Sequence, residues 1–96
     1  MAVIETLTFR LAADADEAAF LEADRQVQVE LIPNQEGFLR RTTARGPSQW
    51  LVVVLWASEA DAASFQQLTA SHPVWNTFTS FVDAASLQRM LFVTLD

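Results

Sequence analysis

The feature that most constrains the fold of this chain is an unbroken apolar run at residues 50–57, WLVVVLWA. A strand with one wet face alternates apolar and polar residues, whereas a strand covered on both faces reads as a continuous apolar run. We therefore expect this run to be a central strand of a sheet. Helices would cover one of its faces, and the other face needs a second copy of the protein or a ligand.

The rest of the chain predicts the element order β-α-β-β-α-(α)-β. Helix start signals come from Asp14 with Glu17 and from Ser58 with Asp61. The other strands are expected at 3–11, 38–45 and 87–95, and the helices at about 14–31, at about 59–70 and after Pro73. This order predicts an α+β, ferredoxin-like fold with a four-stranded antiparallel sheet in the order 4-1-3-2 and both helical blocks on one face. Residues 1–96 would form a single domain.

The parity of the strands separates the two faces of the predicted sheet. Glu5 and Arg89 fall on the more apolar face of neighbouring antiparallel strands, where they could pair. Met90 and Phe92 fall on the opposite face and extend the apolar surface of the central strand. Soluble monomers rarely expose so large a patch, so we expect a homodimer packed sheet to sheet. A one-residue bulge would reverse the face that a strand presents to the helices.

The composition excludes several classes of function. The net charge is −6, with twelve acidic residues against six arginines and no lysine, which argues against nucleic acid and anionic membranes as partners. No segment has the length of a membrane span or the pattern of a signal peptide, so a cytoplasmic location is expected. The chain has no Cys, nucleotide-binding motif or metal-ligand spacing, and we expect no metal or other cofactor.

Three segments resemble the dimeric α/β-barrel superfamily, in particular its antibiotic-biosynthesis-monooxygenase-like branch: EGFLRR at 36–41, VLWAS at 54–58 and SHPVWNTF at 71–78. The resemblance implies a dimer with a pocket in each subunit between the helices and the sheet. The superfamily includes cofactor-free oxygenases, haem-degrading enzymes and isomerases. The haem-degrading branch uses an Asn, a Trp and a His. This chain has Thr6 or Thr8, Phe65 and Phe78 near those positions, which argues against haem degradation.

Two residues are candidates for a catalytic base, and each has a structural alternative. His72 is the only side chain of a type that titrates near neutral pH, but it could simply cap the helix that follows it. Glu5 could be a base in the pocket or a structural ion-pair partner of Arg89. The candidate substrate-binding residues are Trp56, Trp75, Asn76, Phe65, Phe78 and Arg89. The two tryptophans could equally be core residues.

The leading hypothesis is a cytoplasmic, homodimeric pocket protein that acts as a cofactor-independent monooxygenase on an aromatic or polyketide-like substrate. His72 or Glu5 would then be the base. The alternative is a non-catalytic binding or stress-associated module whose interior is filled by side chains. A cavity near the lower limit of ligand sites, on the order of a few hundred Å³ and reached by His72 or Glu5, would favour the first hypothesis.

Overall fold

A computed structural model describes residues 1–95 and shows the predicted α+β architecture. The strands are β1 (Val3–Phe9), β2 (Phe38–Arg45), β3 (Trp50–Trp56) and β4 (Gln88–Val93), and the helices are α1 (Glu17–Gln26), α2 (Glu59–Thr69) and α3 (Pro73–Thr79). The sheet order is β2-β3-β1-β4, and all neighbouring strands are antiparallel. The predicted fold class and strand order are therefore confirmed. None of the helices in this part of the chain has the length and apolar character needed to cross a membrane.

The central strand β3 divides its side chains between two environments. Trp50, Val52, Val54 and Trp56 are buried beneath the helices, while the residues between them are only half-buried on the outer face of the sheet. Since β3 lies between β2 and β1, its backbone is paired on both edges. The continuous apolar run thus forms a central strand, as expected, and its outer row faces away from the helices.

An aromatic cluster joins the sheet to the helices. Phe20 of α1 is fully buried, and its ring lies 4.9 Å from Trp50, 5.5 Å from Phe78 and 5.9 Å from Phe9, measured between centroids. Aromatic pairs in edge-to-face arrangement, such as Phe20 with Trp50 and with Phe9, each contribute about 0.5–1.5 kcal/mol beyond the burial of area. The cluster therefore fixes α1 and α3 over one end of the sheet.

The first helical block has the expected extent but a different start and an irregular end. The predicted cap at Asp14 is wrong, because the chain there forms a turn in which the Ala15 N–H donates to the Ala12 carbonyl. Asp16 occupies the cap position, and its side chain makes no capping hydrogen bond. Beyond Gln26 the helix widens into a π-helical turn, Val27–Leu31, followed by a 3-10 turn, Ile32–Asn34.

A bulge near the start of β2 decides which arginine faces the helices. Phe38 pairs with Trp56 and Arg40 pairs with Leu55, so two steps along β2 match a single step along β3. Leu39 is the extra residue, and the alternation of side chains shifts by one after it. Arg41 consequently points inward and is buried, whereas Arg40 is exposed on the outer side.

Helix α2 begins with the predicted capping pair. The Ser58 hydroxyl accepts a hydrogen bond from the Asp61 N–H at 3.2 Å and donates to the Asp61 carboxylate at 2.8 Å. This side chain thereby satisfies one of the free N–H groups of the first helical turn. The contact holds α2 directly after the buried end of β3.

The two helix starts provide a matched test of capping. Ser58→Ala should lower the free energy of unfolding by about 1 kcal/mol, because it removes an observed cap. Asp16→Ala should have less than about half that effect, since the Asp16 side chain makes no capping bond. Urea denaturation of both variants measures the difference, and equal losses would contradict the structural assignment of the caps.

Candidate functional site

A cavity of about 260 Å³ lies between the inner face of the sheet and the helical layer. Its apolar walls include Leu7, Ile32, Val52, Val54, Phe65 and Trp75, and its polar lining consists of Glu5, Arg41, Gln66, Thr69 and Arg89. Apolar walls with a few convergent polar groups are typical of small-molecule sites. A second, wider hollow beside the β2–β3 turn is more open and lacks aromatic lining residues. The first cavity is therefore the candidate site.

Glu5 is a buried carboxylate in the lining, with only 6% of the residue exposed. One carboxylate oxygen accepts a hydrogen bond from the Trp56 indole N–H at 2.9 Å, and the other accepts from the Arg89 Nε–H at 2.5 Å. Arg89 lies opposite Leu7 rather than opposite Glu5, so the ion pair runs diagonally between β1 and β4. Diagonal neighbours are within reach of long side chains, and the pair expected from strand parity therefore forms.

Arg89 uses only part of its hydrogen-bonding capacity. Its Nε–H binds Glu5, but its Nη2 is buried and has no acceptor among residues 1–95. A buried donor without an acceptor typically costs about 1–3 kcal/mol, more when the group is charged. Native structures usually keep such a group for a reason, and here it belongs to a residue that lines the cavity.

Arg41 is a second arginine in the lining, and its guanidinium already donates hydrogen bonds to side chains of the protein. Its side chain is 1% exposed, and it donates to the Asp24 carboxylate at 2.8 Å and to the Gln28 side-chain oxygen at 3.2 Å. Burial lowers the pKa of Arg41, while the nearby Asp24 carboxylate opposes that effect. The guanidinium also lies 5.7 Å from the centre of the Phe78 ring, within the range of a cation–π contact.

Sequence reasoning missed this role of Arg41. Arg41 lies on the edge strand β2, where a charged side chain is ordinarily solvated, but the bulge at Leu39 turns it toward α1. The available signal was on the helix, where Asp24 and Gln28 are four residues apart and so share one face. That face could have been recognised as a polar partner for an inward arginine.

The structure brings together some of the predicted site residues and separates others. Glu5, Phe65, Trp75 and Arg89 line the cavity, and Trp56 lies behind Glu5 as its hydrogen-bond donor. Phe78 is buried in the aromatic cluster, beside Trp75. His72 and Asn76 are not among the lining residues. His72 occupies the cap position of α3, where its Nδ1 accepts from the Val74 N–H at 3.2 Å, and Asn76 is exposed on that helix.

Two ion pairs of different burial predict different contributions to stability. Asp24→Ala should lower the free energy of unfolding by about 3 kcal/mol, because it leaves the buried Arg41 charge without its partner. Glu17→Ala breaks the exposed pair with Arg45 and should cost less than about 1 kcal/mol. Chemical denaturation of both variants provides the comparison. If Asp24→Ala lowers the free energy of unfolding no more than Glu17→Ala does, the buried Arg41 guanidinium does not depend on Asp24 as its partner.

Comparison with known proteins identifies the fold. Neither a protein-family model nor a curated protein matches the sequence. Among solved structures, SnoaB, a cofactor-independent oxygenase from Streptomyces nogalater, is 15% identical with a TM-score of 0.74, over 99% of this chain and 94% of that chain. A candidate antibiotic biosynthesis monooxygenase from Nitrosomonas europaea is 17% identical with a TM-score of 0.73, over 98% and 90% of the two chains.

A third solved structure has the same fold but no assigned activity. It is a dimeric ferredoxin-like protein of unknown function from a Jannaschia species, 9% identical with a TM-score of 0.75, over 98% of this chain and 100% of that chain. Together these likenesses confirm that the chain has the fold of the antibiotic-biosynthesis-monooxygenase-like proteins, as the sequence resemblance implied. The fold alone does not fix an activity, because one fold hosts many functions.

Proposed function

We propose that the protein binds a small aromatic or polyketide-like molecule in the cavity and oxygenates it without a cofactor. The observation that carries this proposal is the ion pair between the buried Glu5 and the half-buried Arg89, set in the lining of a largely apolar, aromatic-walled cavity. Active sites characteristically combine a concave apolar pocket with a few buried titratable groups. The shared fold with a cofactor-independent oxygenase from Streptomyces nogalater supports the same assignment.

The size of the cavity favours ligand binding over a filled interior. Its volume of about 260 Å³ approaches the lower limit of about 300 Å³ for small-molecule pockets, and Glu5 reaches it. A compact aromatic molecule suits this space better than an extended polycyclic one. The alternative of a non-catalytic module with a filled interior has less support, although ligand binding without catalysis would produce the same cavity.

The lining residues suggest a mechanism in which the protein supplies the proton acceptor and the substrate supplies the electrons. Glu5 would take a proton from an activated C–H or O–H group of an electron-rich phenolic substrate. The resulting carbanion would reduce dioxygen and form a carbon–oxygen bond, which gives a hydroperoxide after reprotonation. At a CH₂ carbon, loss of water from that hydroperoxide leaves a ketone, and dioxygen is the only oxidant required. Phe65 and Trp75 would hold the substrate ring and exclude water.

This mechanism assigns the base to Glu5 rather than to His72, and the two can be separated. With a quinol or anthrone that the wild type oxygenates, Glu5→Gln should reduce turnover by at least about 100-fold, because it removes the proton acceptor. His72→Asn should change turnover by less than about twofold, since asparagine also caps helices well and His72 lies outside the lining. Oxygen uptake measures both rates.

The controls of this experiment decide between the remaining alternatives. Thermal unfolding should show that both variants are folded at the assay temperature. Unchanged turnover in Glu5→Gln would refute the assigned base. If the wild type binds these aromatics but consumes no oxygen with any of them, the non-catalytic binding module becomes the better assignment.

We also propose that the outer face of the sheet packs against the same face of a second copy. The strand register places six large apolar side chains there: Ile4, Leu51, Val53, Leu55, Met90 and Phe92. Met90 is 53% exposed and Phe92 is 46% exposed in the single chain. A contiguous apolar face of this kind marks an interaction surface. The dimeric ferredoxin-like neighbour from Jannaschia supports a second copy as the partner.

A charge placed at the centre of this face tests the dimer. Val53→Arg should shift the protein from dimer toward monomer, because the buried interface would contain an unpaired charge. Leu21→Arg, at a 45% exposed position on α1, is a matched control that should remain dimeric. Sedimentation equilibrium at micromolar concentration reports the mass of each. A wild-type mass of one chain, 10.7 kDa, would refute the proposed interface.

A further inference from the structure

We propose that the cavity selects a ligand with an uncharged carbonyl oxygen over one with a carboxylate, and that Glu5 sets this preference. The inference rests on the ligand binding proposed above, but it does not require that the ligand be oxygenated. It concerns the chemical class of the ligand, and three features of the lining carry it: a donor without an acceptor, the balance of charges, and the walls.

The first feature is the donor capacity of Arg89. Glu5 takes only the Nε–H of this guanidinium, and Nη2 has no acceptor within residues 1–95. The side chain as a whole is 26% exposed and contributes to the lining, so an oxygen entering the cavity can approach the guanidinium, and a shift of the guanidinium would bring the buried Nη2 to it. A guanidinium has no acceptor of its own. A ligand that satisfies this group must therefore present an oxygen or another hydrogen-bond acceptor.

The second feature is that the charges around the cavity are already balanced. Of the three charged lining residues, Arg89 is paired with Glu5, and Arg41 is paired with Asp24 behind the wall. The remaining polar lining residues, Gln66 and Thr69, are neutral. The lining thus offers hydrogen-bond donors but no excess positive charge to a ligand. The chain as a whole carries a net charge of −6.

Because of these features, we expect the cavity to bind a carbonyl group and a carboxylate with different affinities. A ketone oxygen gains a charge-assisted hydrogen bond from Arg89 and carries no charge toward Glu5. A carboxylate gains the same bond, but it brings a second negative charge next to the Glu5 carboxylate on the same guanidinium. The apolar walls are the third feature. A carboxylate loses its hydration among them, which is costly for an ion without a counter-charge of its own. Like charges placed together are a general means of excluding the wrong ligand.

The matching ligands for a test are 2-acetylnaphthalene and 2-naphthoate, which share a ring system and differ in a methyl ketone against a carboxylate. Isothermal titration calorimetry at neutral pH should show the wild type binding the ketone at least about tenfold more tightly. Glu5→Gln keeps the size of the side chain but removes its charge, which leaves Arg89 without a counter-ion. This variant should shift the ratio of the two affinities toward naphthoate by at least about tenfold.

Two further variants make the test specific. Glu17→Gln removes one negative charge from an exposed Glu–Arg pair and should leave the ratio unchanged, which controls for net charge. Arg89→Gln replaces the charged guanidinium with a neutral amide, which is a weaker donor, so affinity for the ketone should fall about tenfold with no gain for naphthoate. This second variant keeps the proposal testable even if Glu5→Gln does not fold.

Several results would overturn the proposal. They are equal or tighter binding of naphthoate by the wild type, an unchanged ratio in Glu5→Gln, undiminished ketone affinity in Arg89→Gln, or no binding of either ligand. The oxygenase assignment fails separately, on oxygen uptake. Suppose that the wild type prefers the ketone but takes up no oxygen with any quinol or anthrone. That result would refute the proposed oxygenation and leave the proposed selectivity standing.

Discussion

The apolar character of both faces of β3 is the constraint on which the rest of the structure depends. Its inner row forms the floor of both the aromatic core and the cavity, because Trp50 packs against Phe20 while Val52 and Val54 line the open space. Its last residue, Trp56, joins the floor to the polar part of the site through the indole hydrogen bond to Glu5. One strand therefore supports the core, the cavity and the buried carboxylate. Its outer row is also apolar and only half-buried, and this observation underlies the proposed dimer.

The sequence predicted those features that depend on neighbours along the chain or on strand parity. The apolar run at 50–57 identified the central strand, the Ser58–Asp61 spacing identified the start of α2, and parity placed Glu5 and Arg89 on one face. Each of these rests on a periodicity or a short spacing that the backbone geometry imposes directly. The strand order followed from the same information, since few topologies accommodate this order of elements.

The missed features depend on contacts between distant parts of the chain. The partner of Arg41 is an aspartate on α1, and the arginine reaches it only because a bulge changes the parity of β2. The size of the cavity depends on how closely α2 and α3 approach the sheet, which no local pattern specifies. The cap at Asp16 shows the same limit on a smaller scale, because a turn upstream decided where α1 begins. His72 lies at the N-terminal cap of α3, which is the structural alternative that the sequence offered for it.

The bulge at Leu39 also has an evolutionary consequence. Leu39 is the residue without a partner on β3, so its loss would restore regular pairing and leave Phe38 and Arg41 on the faces that they now occupy. Loss of a later residue of β2, with the bulge kept, would instead move the side chains on one side of the deletion to the opposite face. The bulge is thus a position where this edge strand can lose one codon without exchanging its interior and solvent-facing side chains, a tolerance that the rest of the strand lacks.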